Sequence, residues 1–186
     1  HVDRGVIFPT AETQPRGTFL VSGYDFYLYR LGYAFTDWLQ ASVAAIPPHG
    51  RQYRETAAFG DLSLKARLYR NPWFRVGGTL GYAAASAAFE EPRGYQHLRF
   101  GVMGTLCLEA TCQIGFTPAL HGFVTTRSDH DHFLVASFGL VAHAGRGFAL
   151  LLEPSQFVWF SEGENDRGVL LSYGLRMHGE RVAFDL

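Results

Sequence analysis

From Asp61 to Arg70 the chain alternates strictly. Leu62, Leu64, Ala66 and Leu68 fall on one side, and Asp61, Ser63, Lys65, Arg67 and Tyr69 on the other. A repeat of two residues belongs to an extended strand and excludes an amphipathic helix, whose repeat is 3.6. The pattern resumes after Asn71-Pro72-Trp73, with Phe74, Val76, Leu80 and Tyr82 opposed to Arg75, Gly77, Thr79 and Gly81. It recurs downstream. Leu98, Phe100, Val102, Leu106 and Leu108 oppose His97, Arg99, Gly101 and Thr105. Ile114, Phe116 and Leu120 oppose Gln113, Gly115, Thr117 and His121. Leu134, Ala136, Phe138 and Leu140 alternate with a face holding Ser137 and Gly139. Phe148, Leu150, Leu152 and Val158 oppose Ala149, Glu153 and Ser155, and Val169, Leu171, Tyr173, Leu175 and Met177 oppose Ser172, Gly174 and Arg176. The region from Thr18 to Phe35 is less regular, and Arg30 reads out of phase, so a β-bulge is expected there.

Turns punctuate these runs. Short ones fall at Thr36-Asp37-Trp38, Asn71-Pro72-Trp73, Glu109-Ala110-Thr111, Ala144 to Gly147 and His178 to Arg181, and longer polar connections at Pro47 to Gly60, Glu90 to Gln96, Thr126 to His132 and Ser161 to Arg167. Short turns alternating with longer loops predict an all-β, antiparallel, up-and-down β-barrel of about ten strands. The 186 residues form one domain, 1–186, with no linker and no helical insertion. By this count both termini fall on the long-loop side, whereas bacterial outer-membrane barrels usually keep termini and short turns together. Missing terminal strands, an extra strand at residues 4–8, or long loops facing the periplasm would each reconcile the count.

Alternation alone leaves open which face points outward. In a transmembrane barrel the apolar face meets lipid and the polar face the lumen; a soluble barrel inverts this. Charged residues are only 18% of the chain, Lys65 is the lone lysine, and the polar face mixes its charges with glycine and other small residues. That suits a filled lumen better than a water-facing exterior. Aromatics gather near strand ends, at Tyr33, Phe35 and Trp38, at Trp73 and Phe74, and at Phe157, Trp159 and Phe160, as the interfacial girdles of membrane barrels do. The expected exterior therefore carries Leu62, Leu64, Leu68, Phe100, Val102, Phe116, Phe138, Leu150 and Leu152. The net charge of −1 argues against a nucleic-acid partner. The chain opens with His1-Val2-Asp3-Arg4 and no initiator Met, which is compatible with removal of a signal sequence.

Phe8-Pro9-Thr10-Ala11, Gly17-Thr18-Phe19, the run Tyr24 to Tyr33, the hairpin Tyr33-Ala34-Phe35-Thr36-Asp37-Trp38-Leu39-Gln40, and the closing Tyr173-Gly174-Leu175-Arg176 and Gly179-Glu180-Arg181-Val182-Ala183 together resemble uncharacterised outer-membrane β-barrel proteins of Gram-negative bacteria. The resemblance implies a fold and a location, the bacterial outer membrane with the lipid bilayer as partner. It transfers no catalytic residue.

Lys65, Arg67, Arg75, His97, Arg99, His121, Glu153 and Arg176 are the candidate lumen-lining residues. Rings of charge can select ions, but a barrel of about ten strands is largely filled by its own side chains. Structural ion pairs are thus the plainer account, with Asp25 and Asp185 as partners for the surplus arginines, and conductance is expected to be small or absent. Ser128-Asp129-His130-Asp131-His132 is the one dense group of possible metal ligands, in which Asp129, His130, Asp131 and His132 have suitable donors; a solvated loop tip is the plainer account, since the sequence shows no further ligand held in place by supporting contacts. No cofactor is implied. A hydrolase at the barrel rim would need a base in reach of Ser128 or near His121, and no spacing demands that geometry, so enzyme activity is not expected. A soluble lipocalin-like barrel with an apolar ligand inside is the other reading. Cys107 and Cys112 flank one turn and are expected to lie close together across it; a disulfide there would indicate an oxidising compartment.

Overall fold

The computed structural model describes residues 9–24, 28–46, 58–86, 94–125, 132–144, 147–160, 165–178 and 183–185. They form one antiparallel sheet in which each strand pairs with the next in sequence. Its strands are β1 (Phe19–Tyr24), β2 (Leu28–Thr36), β3 (Leu39–Ile46), β4 (Ala58–Arg70), β5 (Phe74–Ser86), β6 (Gly94–Cys107), β7 (Ile114–Thr125), β8 (His132–His143), β9 (Phe148–Phe160), β10 (Asn165–His178) and the three-residue β11 (Ala183–Asp185). The sheet curls until β11 approaches β1, but no hydrogen-bonded ladder joins the two among the described residues. The architecture is barrel-like, with a seam instead of full closure.

Burial is inverted relative to an ordinary globular domain. The outward faces of β4 to β10 carry many leucine, valine and aromatic side chains standing in the open, including Leu62, Leu64, Leu68, Phe100, Val102, Phe138, Leu150 and Leu152; Phe116, on the same face, is half-buried. The buried face holds Asp61, Lys65, Arg75, His121, Glu153 and Arg176 among small residues such as Ala83, Ser137 and Ala149. Alternation fixes this arrangement, because a shift of one residue would exchange the two faces of a strand.

Three local readings need correction. The run from Thr18 to Phe35 is two strands, β1 and β2, paired with Phe19 opposite Tyr33 and Val21 opposite Leu31. Within β2, Arg30 is in phase, on the concave side with Gly32 and Ala34, while Tyr29, Leu31 and Phe35 point out. The extra strand moves the start of the sheet to the short-turn end, where Gly17 N donates to Ala34 O at 2.8 Å, and this removes the conflict over where the chain enters. Tyr69 is outside, half-exposed and tilted against Phe74 with ring centroids 6.4 Å apart. A register shift between Arg67 and Tyr69 turns it over. Finally, Phe157 and Trp159 share the parity of Glu153 and Ser155 and belong to the inner face of β9, so only Phe160 of that trio can serve an outer girdle. Residues 4–8, and all or most of each longer loop, lie outside the described residues.

Before β1 the chain makes an excursion that alternation does not predict. Thr10, Ala11, Glu12 and Thr13 are all buried, pressed on the inner faces of the strands. Ala11 N donates to Thr105 Oγ1 of β6 at 3.1 Å, and Gln14 N donates to Gln40 Oε1 of β3 at 3.3 Å. Arg16 N donates to Asp37 Oδ1 at 2.8 Å, in the turn between β2 and β3. The segment fits because Gly77 of β5 has no side chain. A Cβ there would stand 3.1 Å from the Ala11 Cα. Residues 10–14 therefore fill the short-turn end of the interior.

Candidate functional site

The interior is built around carboxylates shared between cations. Glu12 forms an ion pair with Arg75, and its second oxygen lies 3.6 Å from Arg67 Nη1. All three side chains are well buried, with 3% of Glu12, 6% of Arg75 and 13% of Arg67 exposed. Deeper along the strands, Asp61 of β4 receives a hydrogen bond at 3.1 Å from Arg99 Nη2 of β6. The guanidinium of Arg30, from β2, is 3.6 Å from the same carboxylate. Arg99 must cross β5 to reach Asp61, and it does so over Gly81, where a Cβ would meet Arg99 Nη2 at 3.3 Å and Leu62 O at 3.0 Å. Unpaired charges would be prohibitive here, so shared carboxylates are what make so basic an inner face tolerable.

Lys65 is buried on the inner face of β4, next along the strand from Asp61 and Ser63. His121, 1% exposed, lies over its cross-strand partner Gly101; a Cβ on that glycine would collide with the imidazole. Glu153 and Arg176 are buried on the inner faces of β9 and β10. His97 sits at the long-loop end, where its Nδ1 is 3.2 Å from Thr125 Oγ1 and its ring meets Phe133 edge-on at 5.7 Å. Phe133 also stacks on Phe123 at 4.1 Å and approaches Trp159 at 6.4 Å. The eight lumen candidates thus share one concave face, but they divide among separate clusters.

Asp25 and Asp185, expected as acidic partners, have side chains outside the described residues; among the described residues Arg67 and Arg75 pair with Glu12, and Arg30 and Arg99 with Asp61. Sequence reasoning missed Glu12 because it belongs to no strand. The signal was electrostatic: Lys65, Arg67, Arg75 and Arg99 on adjacent strands require more carboxylate than Asp61 supplies.

Cys107 and Cys112 are joined in a disulfide across the turn between β6 and β7, with Cα atoms 4.7 Å apart. Cys112 takes a left-handed backbone conformation (φ 55°). Of the possible metal ligands, Asp129, His130 and Asp131 lie outside the described residues, as does Ser128. His132 opens β8, and its Nδ1 accepts from Thr125 N at 3.3 Å. Among the described residues no group of three His, Cys, Asp or Glu side chains is placed to hold a metal.

No family model, no curated protein and no solved structure matches this chain. Its chemistry must be read from the geometry alone.

Proposed function

We propose that this chain is an integral β-barrel protein of a Gram-negative outer membrane, with an interior occluded by its own N-terminal segment and ion pairs. Its role is structural, adhesive or that of a narrow channel, with little or no conductance. The observation that carries this reading is the inversion of burial. Soluble monomers rarely expose apolar patches beyond a few hundred Å², whereas here every strand from β4 to β10 carries at least two large apolar side chains exposed on its outward face. On β6 the outward series from Leu98 to Leu106 covers about 27 Å at ~3.4 Å per residue. Tilted by ~40°, it would rise about 20 Å, near the ~25 Å apolar band of membrane barrels. At the short-turn end Phe35, Trp38, Tyr69, Trp73 and Phe148 are exposed together, as an interfacial girdle requires. The disulfide is in keeping with an oxidising compartment. The charged interior speaks against a lipocalin-like site for an apolar ligand.

The test is reconstitution. Protein folded in detergent should insert into lipid vesicles, resist extraction by alkaline carbonate, and give small or no steps in planar-bilayer recordings. Large steady currents would refute the occluded interior, and a monodisperse detergent-free monomer would refute the membrane assignment.

A further inference from the structure

We propose that a small pocket beside Pro9, lined by the inner faces of β2 to β6, is a binding site for one monoatomic anion of the halide class. The pocket measures about 20 Å³, and Arg30, Arg99, Lys65, Thr79 and Gln40 line it with Pro9. That space accepts a particle about the size of one water, smaller than a phosphate or a carboxylate ligand. Its walls are cationic. Arg30 and Arg99 share the single carboxylate of Asp61, so even with Lys65 engaged by its own contacts, positive charge exceeds negative at this point. A guanidinium does not shed its proton to relieve the excess.

The hydrogen-bond inventory points the same way. The Nε atoms of Arg30 and Arg99 and the hydroxyl of Thr79 are buried and lack a hydrogen-bond partner among the described residues. All three belong to side chains lining the same pocket. Two of them can only donate, and the hydroxyl is free to donate. A buried donor without an acceptor costs about 1–3 kcal/mol, and more when charged. A water could accept from them, but it would leave the charge unbalanced. A halide accepts from several donors at once and cancels one unit of that charge. Since Pro9 is part of the lining, the ion would also link the N-terminal segment to the wall.

The site is internal, so it can be read in detergent whether or not the protein inserts into a bilayer. Crystals of the full chain grown in sodium bromide should show an anomalous peak at the bromine edge within hydrogen-bonding distance of Arg30 Nε and Arg99 Nε. In solution, the thermal midpoint should rise saturably with sodium bromide relative to sodium gluconate at equal ionic strength. Arg30→Gln should abolish that difference, because it removes both a donor and the surplus charge. Thr79→Val keeps the charge and loses one donor; it should move saturation to higher bromide, and it serves if Arg30→Gln fails to fold. A featureless or water-like peak with no anomalous signal, or equal responses to bromide and gluconate, would overturn the assignment.

Discussion

Glu12 meets Arg75 inside the sheet, and through that pair a segment with no strand of its own is tied to the inner face of β5. With Arg67 on the other oxygen, one carboxylate bridges cations of two strands. Glu12→Ala should therefore leave two guanidiniums buried without their partner and cost about 3 kcal/mol or more, as breaking buried pairs does. The midpoint of urea unfolding in detergent reports it. An unchanged midpoint would mean that the pair contributes nothing.

Gly77 is the cradle for the same segment, and enlarging it tests the plug separately from the charges. Valine would place methyl groups where the Ala11 backbone runs, and its Cβ would also crowd Ala66 O at 3.2 Å. Gly77→Val should displace residues 10–14 while leaving the strands paired. The expected readouts are faster trypsin cleavage after Arg16 and the appearance of conductance in planar bilayers. Wild-type cleavage rates would show that the segment is not seated on Gly77.

Outside, the cost of a charge substitution discriminates lipid from water. Val102 and Leu62 are each 59% exposed, and on a soluble surface such positions tolerate arginine within about 0.5 kcal/mol. Facing the middle of a bilayer, the same change costs about 2–4 kcal/mol. Val102→Arg should thus reduce stability in vesicles by that amount and have a much smaller effect in a detergent micelle. Denaturant titration in both settings makes the comparison.

The disulfide closes a small loop, and the entropy it removes from the unfolded chain amounts to about 2 kcal/mol for a loop of some six residues. Replacing Cys107 and Cys112 together by serine should lower stability by that order without altering the fold. Protein isolated with alkylating agent present should carry no label on either cysteine. Labelled thiols in protein taken from its native compartment would contradict the pairing.

How much of this was legible in the sequence follows the reach of the interactions concerned. Strand identity and facing from β4 to β10 depend on neighbours two residues apart, so Leu62 against Lys65, or Leu150 against Glu153, could be sorted by inspection. Tyr69 could not, because a bulge is set by pairing with Val76 across the hairpin. The β1–β2 hairpin was hidden since both strands keep the same parity and no Gly or Pro lies at 25–27 to separate them. Phe157 and Trp159 were misread by proximity to a loop, although the parity of Glu153 already assigned them inward. Glu12 was the least visible: its partners lie far along the chain, and only the charge imbalance of the inner face asked for it.

The central claim is that even-numbered positions of β4 up to Leu68 face lipid while the odd-numbered ones from Asp61 to Arg67 face a filled interior. Since the only two cysteines are bonded to each other, single cysteines can be added at 61 to 65 and spin-labelled in protein reconstituted into vesicles. Collision rates with oxygen, which partitions into lipid, and with a water-soluble nickel chelate then report each position. Positions 62 and 64 should be high for oxygen and low for nickel, and 61, 63 and 65 low for both. High nickel accessibility at 62 and 64 would contradict the account.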